Sequence, residues 1–507
     1  MGTESQSHVL VLDEGTTSTR AVLFDAASRV VETAALPLDI DAKPDGRTEQ
    51  DAMELWQKSR QVLAEVAQRA IRAGRPIAAL GMAAMRTSTV LWDRATGQPV
   101  APLVSWQDTR CGEQAEGLRS TWGERADRTS GLHIGPDNVP LHLSWLLRHD
   151  PELRRRAEAG QLLAGTPDSW LVWHLTGRPE SGPTLTSTSC ASSSGGMDRD
   201  RQDWWVEFFE ELQVPLSLMP RILPDDADFG LTRADLIGLE TPIRSIIGDQ
   251  TSALYGQGGF EAGSVKCTHG TGSFIDFNIG PDPIVPGQGL DCRVGWLTDQ
   301  AKAYVLEGGS FVTGSGVDWL VNGLGVLEQA ALIDQTYAQA DPAAGLVCVP
   351  ALAGLAAPYW DSQTRGLLIG LERGTTKADV VRATLDGIAH SISDVLEAMS
   401  DSAGVAPKLM RLDGGLSRSD TLPQLQADLM QIPVERAAQS EFITARGAGW
   451  AAGVAVGLWD SPQAADATKE AGVVFEPRIS PAQRDARREV WRDAVGRTLG
   501  WRRAESA

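Results

Sequence analysis

The chain has 507 residues, of which 42% are hydrophobic and 22% charged, with a formal net charge of −20 and an isoelectric point of about 4.8. This composition is typical of a globular protein with more than one domain, because single hydrophobic cores rarely grow beyond about 300 residues. The acidic balance disfavours nucleic acid and anionic membranes as partners, since phosphates would be repelled over most of the exterior.

The N-terminus and the cysteines indicate the compartment. The first residues, MGTESQSHVLVLDEG, contain no basic segment, and no later window has the roughly 18 uninterrupted apolar residues that a membrane span needs. The five cysteines are widely spaced and fit neither a disulfide framework nor a CxxC metal site. We therefore predict a cytoplasmic protein with no membrane insertion, with buried free thiols and without a dedicated zinc centre.

Short apolar runs alternate with amphipathic stretches along the chain, which is the pattern of an α/β protein. The predicted strands are, in chain order, 9–12, 21–24, 78–82, 243–247, 274–277 and 409–412. The predicted helices are 52–70 and 378–399, the second of which follows Thr375 and Thr376.

Two stretches of the sequence resemble each other. LDEGTTSTRAVLF, residues 12–24, and CTHGTGSFIDF, residues 267–277, both consist of an apolar strand, a Gly-Thr turn with hydroxyl groups and a second strand. If each stretch begins a domain, the boundary falls near the glycine-rich segment GQGGFEAG. We predict two domains, residues 1–255 and 256–507, facing each other across a cleft.

The turn DEGTTSTR is either a solvated hairpin turn or a loop that holds a phosphate. Gly15 permits a positive φ, and the hydroxyl residues after it crowd hydrogen-bond donors at one tip, which can hold an anion. Asp13, at the strand end, could hold Mg²⁺ through its water shell or could cap its own turn. The turn alone decides neither alternative.

Three other stretches place functional groups after apolar strands. SIIGDQ ends in Asp249, at the carboxyl end of a strand, where ligands of α/β sheets commonly bind. In LMRLDGGLSRSD, the glycines let the backbone approach a flat ring or a ribose. Arg86 and Trp106 suit a polyol, because a guanidinium binds hydroxyls and an indole face packs on C–H bonds.

Together these motifs resemble the FGGY carbohydrate kinases and, within that family, the glycerol kinases. DEGTTSTR is similar to the family's first phosphate hairpin, GDQ to its catalytic-base turn and HGTGSF to its second phosphate hairpin. APYWDSQTRGLLIGL, RATLDGIAH and LDGGLSRSD resemble its C-terminal part. The resemblance implies two ribonuclease-H-like domains of the actin-like ATPase superfamily, with ATP and Mg²⁺ between them and a small polyol as the phosphoryl acceptor.

The resemblance also assigns roles to residues. Asp249 would accept the proton of the attacking hydroxyl, Asp13 would orient Mg²⁺ through water, and Arg20 would neutralise the transferring phosphate. The implied nucleotide contacts are Gly15, Thr16, Thr17, Ser18, Gly270, Thr271, Gly314, Asp318, Gly414, Gly415 and Ser419. The implied polyol contacts are Arg86, Thr87, Trp106, Asp137, Asp249, Gln250 and Phe274.

Four of these positions depart from the glycerol kinase pattern. Thr87 replaces a Glu that pairs with the Arg, which removes an acceptor worth about 1.5–3 kcal/mol per hydrogen bond if it is not replaced. Asp137 replaces a larger pocket Tyr. Asp318 and Ser419 stand where Gln and Asn are usual, which leaves the nucleotide preference open.

We expect an enzyme that converts glycerol and ATP to glycerol 3-phosphate. Because of the changes at Thr87 and Asp137, a four- or five-carbon polyol or ketose is the alternative acceptor. A non-enzymatic actin-like ATPase is a more remote alternative, since such a protein does not need the polyol contacts of Arg86, Trp106 and Phe274. By resemblance we also expect a homodimer or homotetramer.

Overall fold

The computed structural model describes residues 7–177, 184–287, 289–361 and 363–501. Position 362, within the quoted stretch APYWDSQTRGLLIGL, lies outside these residues. The fold is built on two mixed β-sheets with helices packed against them.

The first sheet has five strands, in the spatial order β5-β4-β1-β2-β3. These strands are β1 (His8–Glu14), β2 (Ser18–Phe24), β3 (Val30–Pro37), β4 (Ile77–Ala84) and β5 (Ile243–Gly248). The first three form an antiparallel meander, whereas β4 and β5 run parallel to β1. The central strands are apolar on both faces, as expected for a sheet that is covered on both sides.

The second sheet has seven strands, in the order β8-β9-β7-β6-β10-β11-β12. They are β6 (Ser264–His269), β7 (Ser273–Gly280), β8 (Asp291–Leu297), β9 (Lys302–Ser310), β10 (Leu409–Gly414), β11 (Val434–Arg436) and β12 (Val473–Phe475). The five strands β9-β7-β6-β10-β11 repeat the order and directions of the first sheet. The weak sequence repeat therefore reflects a duplicated topology, and the predicted α/β class with two similar halves is confirmed.

The helices fill the connections between strands. They are α1 (Ala52–Arg72), α2 (Gly112–Thr129), α3 (Val139–His149), α4 (Pro151–Glu158), α5 (Pro167–Leu175), α6 (Thr188–Ser193), α7 (Val206–Glu211), α8 (Ala234–Ile237), α9 (Asp249–Gly256), α10 (Gly314–Asp318), α11 (Ile333–Tyr337), α12 (Lys377–Ala403), α13 (Thr421–Met430), α14 (Ile443–Ala455), α15 (Pro462–Asp466) and α16 (Pro481–Thr498). Both predicted helices are present, as α1 and α12. A capping box of Thr376 and Asp379 starts α12, and Gly404 in the left-handed region ends it.

Short strands lie outside the two sheets. They are Asp41–Ala42, Thr48–Gln50, Val90–Asp93, Leu103–Val104, Leu162–Gly165, Leu185–Ser187, Met197–Asp198, Asp203–Trp204, Arg221–Leu223, Val347–Val349 and Leu367–Ile369. Among the described helices, none is long and apolar enough to cross a membrane. All five cysteines are buried free thiols, as predicted.

Helix α14 comes late in the chain but packs on the first sheet, against β1, β4 and β5, and against α9. Small residues make this approach possible, because a Cβ on Gly81 would lie 2.6 Å from the Ala448 carbonyl oxygen and one on Gly447 would lie 1.9 Å from that of Ser252. The two halves are thus interlocked, which the predicted division between residues 255 and 256 did not anticipate. That boundary stays a prediction.

Candidate active site

The hairpin between β1 and β2 is closed by a hydrogen bond from the Gly15 N–H to the Ser18 carbonyl, at 3.0 Å. Gly15 does not use the positive φ that its sequence allows. Its lack of a side chain instead relieves a close approach, since a Cβ there would lie 3.2 Å from the Ser18 oxygen. The turn leaves Thr16, Thr17 and Ser18 at the tip, with Thr17 exposed.

Asp13 lies near the carboxyl end of β1 and is brought near Asp249, which follows β5. Burial raises the pKa of Asp13 to about 6; Arg20 opposes this rise, and the negative charge of Asp249 adds to it. Two carboxylates therefore repel each other at this edge of the first sheet. A divalent cation suits such a place, because oxygen ligands of high charge density are those that Mg²⁺ prefers.

Arg20 is held by the segment that precedes α14. Its Nη1 donates to the Glu441 carbonyl at 2.5 Å, and its guanidinium lies 5.4 Å from the centre of the Phe442 ring. The charge of Arg20 acts on Asp13, as the pKa of that carboxyl indicates. A contact between Arg20 and a transferring phosphate stays a prediction.

Arg86 joins the two halves of the protein. Its Nε donates to Asp249 Oδ1 at 3.1 Å, and its Nη1 forms an ion pair with Glu307 Oε2 at 2.7 Å. Glu307 lies on β9, in the second sheet, and sequence reasoning did not identify it. Its signal was a lone acid within KAYVLEGGS. Glu307 provides Arg86 with the carboxylate partner that Thr87 lacks.

Thr87 is buried, with 7% of its surface exposed, so the cleft offers it little contact with a ligand. Its φ of 58° is in the left-handed region, which is strained for a β-branched residue by an amount on the order of 1–3 kcal/mol. The Ser88 N–H donates to the Arg86 carbonyl across it, at 2.8 Å. The resulting tight turn makes Thr87 a part of the backbone that orients Arg86.

The two predicted pocket aromatics, Trp106 and Phe274, are 36% and 44% exposed. Trp106 Nε1 donates to Thr16 Oγ1 at 2.9 Å, so the indole of the predicted polyol pocket is bonded to the first hairpin. Exposed aromatic rings beside polar groups are typical of ligand sites. The geometry therefore links the acceptor pocket directly to the phosphate turn.

Gln250 is positioned by a residue that sequence reasoning missed. Its Oε1 accepts from the Nζ of Lys266, whose side chain is completely buried and forms an ion pair with Asp276 at 2.9 Å. Because the amide oxygen is occupied, the NH₂ group of Gln250 is left available for other partners. Lys266 and Asp276 carry opposite charges inside otherwise apolar strands, and this spacing could have revealed them.

The second hairpin, between β6 and β7, is bonded to the start of α10. The N–H groups of Thr313 and Ser315 donate to the Thr271 carbonyl at 3.0 Å, and that of Gly314 donates to Gly270 at 3.0 Å. A Cβ on Gly314 would lie 2.6 Å from the Gly270 oxygen, so only glycine fits there. Thr271 is exposed at the tip.

The remaining predicted nucleotide contacts differ in their surroundings. Gly414 has a φ of +88°, and a Cβ there would lie 2.4 Å from the His269 oxygen, whereas a Cβ on Gly415 would meet nothing within 4 Å. Gly415 is thus the position that leaves room for a ligand. Asp318 is exposed and accepts from Asn322 at 2.5 Å. The Ser419 hydroxyl is buried and donates to Asp334 at 2.6 Å.

Asp137 lies in the loop before α3, half-buried. Burial raises the pKa of its carboxyl, against the attraction of His133 and Arg293. Gly135 makes room for it, since a Cβ on Gly135 would lie 2.4 Å from Asp137 Oδ1. Among the described residues, no other side chain donates a hydrogen bond to this carboxylate.

Comparison with known proteins agrees with this geometry. Models of the N-terminal and C-terminal domains of the FGGY family of carbohydrate kinases match residues 8–256 and 265–456. The chain belongs to this family. It is 40% identical to a glycerol kinase of Halorhodospira halophila over 98% of both chains, and 40% identical to one of Alkalilimnicola ehrlichii over 98% of this chain and 99% of the other.

A solved structure has the same fold. The glycerol kinase of Plasmodium falciparum, crystallised with ADP, superposes with a TM-score of 0.93 at 26% identity, over 98% of this chain and 99% of that one. The protein is therefore an ATP-dependent kinase of the FGGY family, with the two ribonuclease-H-like domains that the resemblance implied.

Proposed function

We propose that the protein transfers the γ-phosphoryl group of ATP to a terminal hydroxyl of glycerol, giving glycerol 3-phosphate and ADP. The observation that carries this proposal is the group formed by Asp249, Arg86 and Trp106 beside the first hairpin. A carboxylate, a guanidinium and an indole face together match the hydroxyls and the C–H surface of a small polyol. The names of the two 40%-identical relatives support glycerol as the acceptor.

In this proposal Asp249 takes the proton of the attacking hydroxyl. Arg86 Nε holds one carboxylate oxygen of Asp249 in place, at 3.1 Å, and the backbone N–H of Gln250 donates to the same oxygen at 2.7 Å. The other oxygen is free to accept from the substrate. One positioned base contributes about 10²- to 10⁴-fold to the rate.

Phosphoryl transfer depends mainly on alignment and on neutralisation of charge. The N–H and hydroxyl groups of Thr16 and Thr17 in the first hairpin, and of Thr271 in the second, are the donors proposed for the phosphate oxygens. Gly415 gives the nucleoside room, since a Cβ there meets nothing within 4 Å. The domains 1–255 and 256–507 would then contribute the acceptor pocket and the nucleoside site, respectively.

Asp13 and the neighbouring Asp249 are the carboxylates that fit Mg²⁺, with Asp13 holding it through water. When bound, Mg²⁺ supplies charge neutralisation at the phosphate oxygens. The mutual repulsion of the two carboxylates, seen in the raised pKa of Asp13, is the observation that favours a cation there. Arg20 adds a fixed positive charge on the same side.

The test is a coupled ADP-release assay with ATP and Mg²⁺, with and without glycerol, and identification of the product by ³¹P NMR. We expect ADP release to require glycerol and to yield one phosphomonoester. Trp106→Ala should raise the KM for glycerol by about tenfold or more with little change in that for ATP, because it removes only acceptor contacts. Equal ADP release without any acceptor, or nucleotide-dependent sedimentation of the protein, would favour the non-enzymatic ATPase instead.

A further inference from the structure

A row of alternating charges extends from the acceptor pocket. Glu307, which pairs with Arg86 at 2.7 Å, also binds Arg293 at 3.1 Å. Arg293 binds Asp291 Oδ2 at 2.8 Å, and Asp291 Oδ1 accepts from His133 Nδ1 at 2.8 Å. We call His133, Asp137, Asp291 and Arg293 the distal cluster. It continues the pocket from Arg86 towards the loop before α3, and the sequence analysis assigned only Asp137 among its residues.

Two polar groups of the distal cluster have unused hydrogen-bonding capacity. His133 uses Nδ1 and its backbone N–H for Asp291, at 2.8 and 3.1 Å, which leaves Nε2 available on a ring that is 44% exposed. Attraction by Asp291 raises the pKa of His133 to about 9, against the effect of burial, so Nε2 is a donor at neutral pH. Asp137 supplies an acceptor, because no side chain in the described part of the protein donates to it.

The donor and the acceptor lie close together. The position that a Cβ on Gly135 would take is 2.4 Å from Asp137 Oδ1 and 3.5 Å from His133 Nε2. A donor and an acceptor at this spacing match a single hydroxyl group, which both donates and accepts. The distal cluster therefore provides for one hydroxyl more than the pocket around Arg86.

Charge decides which class of acceptor fits. Arg86, Arg293 and His133 are balanced by Asp249, Asp291 and Glu307, with which they are paired. Asp137 adds a further carboxylate. The extended pocket thus offers no unpaired cation to a sugar acid, and a neutral acceptor is favoured over an anionic one.

We propose that the protein also phosphorylates neutral acyclic four-carbon polyols, with one terminal hydroxyl at Asp249 and the distal hydroxyl between His133 and Asp137. This rests on the proposed function, since the chemistry is the same. The terminal hydroxyl oxygen forms the new O–P bond, its proton passes to Asp249, and the bond to the bridging oxygen breaks as ADP leaves with its electron pair.

The test compares kcat/KM for glycerol, erythritol, D-threitol, L-threitol and gluconate. We expect at least one four-carbon polyol to reach within about tenfold of glycerol, because one added hydrogen-bonded hydroxyl offsets the larger size. In His133→Gln, the ratio of kcat/KM for that polyol to kcat/KM for glycerol should fall about tenfold or more, since a charge-assisted bond is lost.

The matched control is His149→Gln. His149 is an exposed histidine on α3 whose Nδ1 bonds to the Trp145 carbonyl at 2.8 Å, outside the distal cluster, so the ratio should not change. The inference is overturned if glycerol is turned over and none of the four-carbon polyols is, if gluconate is preferred to them, or if His133→Gln lowers both activities equally. Failure with glycerol as well as every other acceptor would instead reject the proposed function.

Discussion

The two Gly-Thr hairpins occupy equivalent places in two sheets of the same topology, yet the side chains just before their glycines differ. Glu14 precedes Gly15, and burial raises its pKa to about 8, against hydrogen bonds from Ser59 and Thr19. His269 precedes Gly270, and burial lowers its pKa to about 4. An acid and a base are therefore both kept neutral near pH 7, so neither adds charge beneath a phosphate turn.

The interiors beneath the hairpins are stabilised differently. Under the first hairpin, the Ser59 hydroxyl donates to Glu14 at 2.6 Å and lies 3.1 Å from the Thr19 hydroxyl. Under the second, Lys266 and Asp276 form an ion pair at 2.9 Å that is almost completely buried. Duplicated topology thus places two similar turns, while the residues beneath each turn determine whether it carries a carboxylate, a neutral network or an ion pair.

The largest effect should separate the residues two positions before each glycine, Asp13 and Thr268. Asp13→Asn is expected to lower kcat by about 10²- to 10³-fold, because it removes the charge proposed to hold Mg²⁺ at the phosphates. The counterpart change Thr268→Val should cost less than about tenfold, since no charge is lost. Steady-state kinetics at saturating Mg²⁺ measures both, and equal losses would break the distinction between the hairpins.

Removing half of the buried ion pair should destabilise the second sheet. Lys266→Met leaves the carboxylate of Asp276 buried and uncompensated, which is expected to lower the free energy of unfolding by about 3–5 kcal/mol. Adding Asp276→Leu should recover most of this loss. Lys408→Met is the control, because Lys408 is 64% exposed and its pair with Glu261 at 3.5 Å is screened by solvent. Urea denaturation decides; a double variant no more stable than Lys266→Met would contradict the account.

Glu14→Gln should stabilise the protein at alkaline pH. The folded state keeps Glu14 protonated up to about pH 8 and the unfolded state only to about 4.5, so the wild type loses stability as pH rises through this window. The glutamine variant lacks that loss, which amounts to at most roughly 1.4 kcal/mol per pKa unit. Urea denaturation at pH 5 and pH 8.5 should show the gain only at the higher pH. Glu489→Gln, at an exposed position of α16, should show none.

His269→Gln should show the opposite dependence on pH and the smallest effect. The folded state keeps His269 neutral down to about pH 4, whereas the unfolded side chain takes up a proton near 6.5, so the wild type loses stability as pH falls through this window. The variant avoids this loss but weakens contacts with Ser273 and Gln426, now 2.8 and 3.3 Å from the ring. Its stability relative to wild type should improve between pH 6.5 and 4.5; an improvement towards higher pH would be inconsistent with a buried neutral imidazole.

The sequence predicted the elements and motifs that depend on local patterns. The hairpin strands, the capped helix after Thr376 and the placement of Asp13 and Asp249 at strand ends all follow from residues close in the chain. The Arg86 partner Glu307, the pair Lys266 and Asp276, and the packing of α14 on the first sheet were missed. Each depends on how distant segments meet in the folded protein, which periodicity does not encode.

The reason for a residue can also differ from the one its sequence suggests. Gly15 was expected to use a positive φ, but close packing on Ser18 explains it. Thr87 was expected to face the acceptor, but it is buried in a strained turn that orients Arg86. In both cases the motif marked the right place, while the physical cause depended on the neighbouring backbone.

The central claim is that Asp249 is the base of a phosphoryl transfer between the two hairpins. The most direct measurement is the turnover of Asp249→Asn with ATP, Mg²⁺ and glycerol, together with its affinity for ATP by calorimetry. We expect kcat to fall about 10²- to 10⁴-fold, while the Kd for ATP stays within about threefold of the wild-type value because only acceptor chemistry is lost. Unchanged turnover, or a loss explained entirely by weaker ATP binding, would contradict the account.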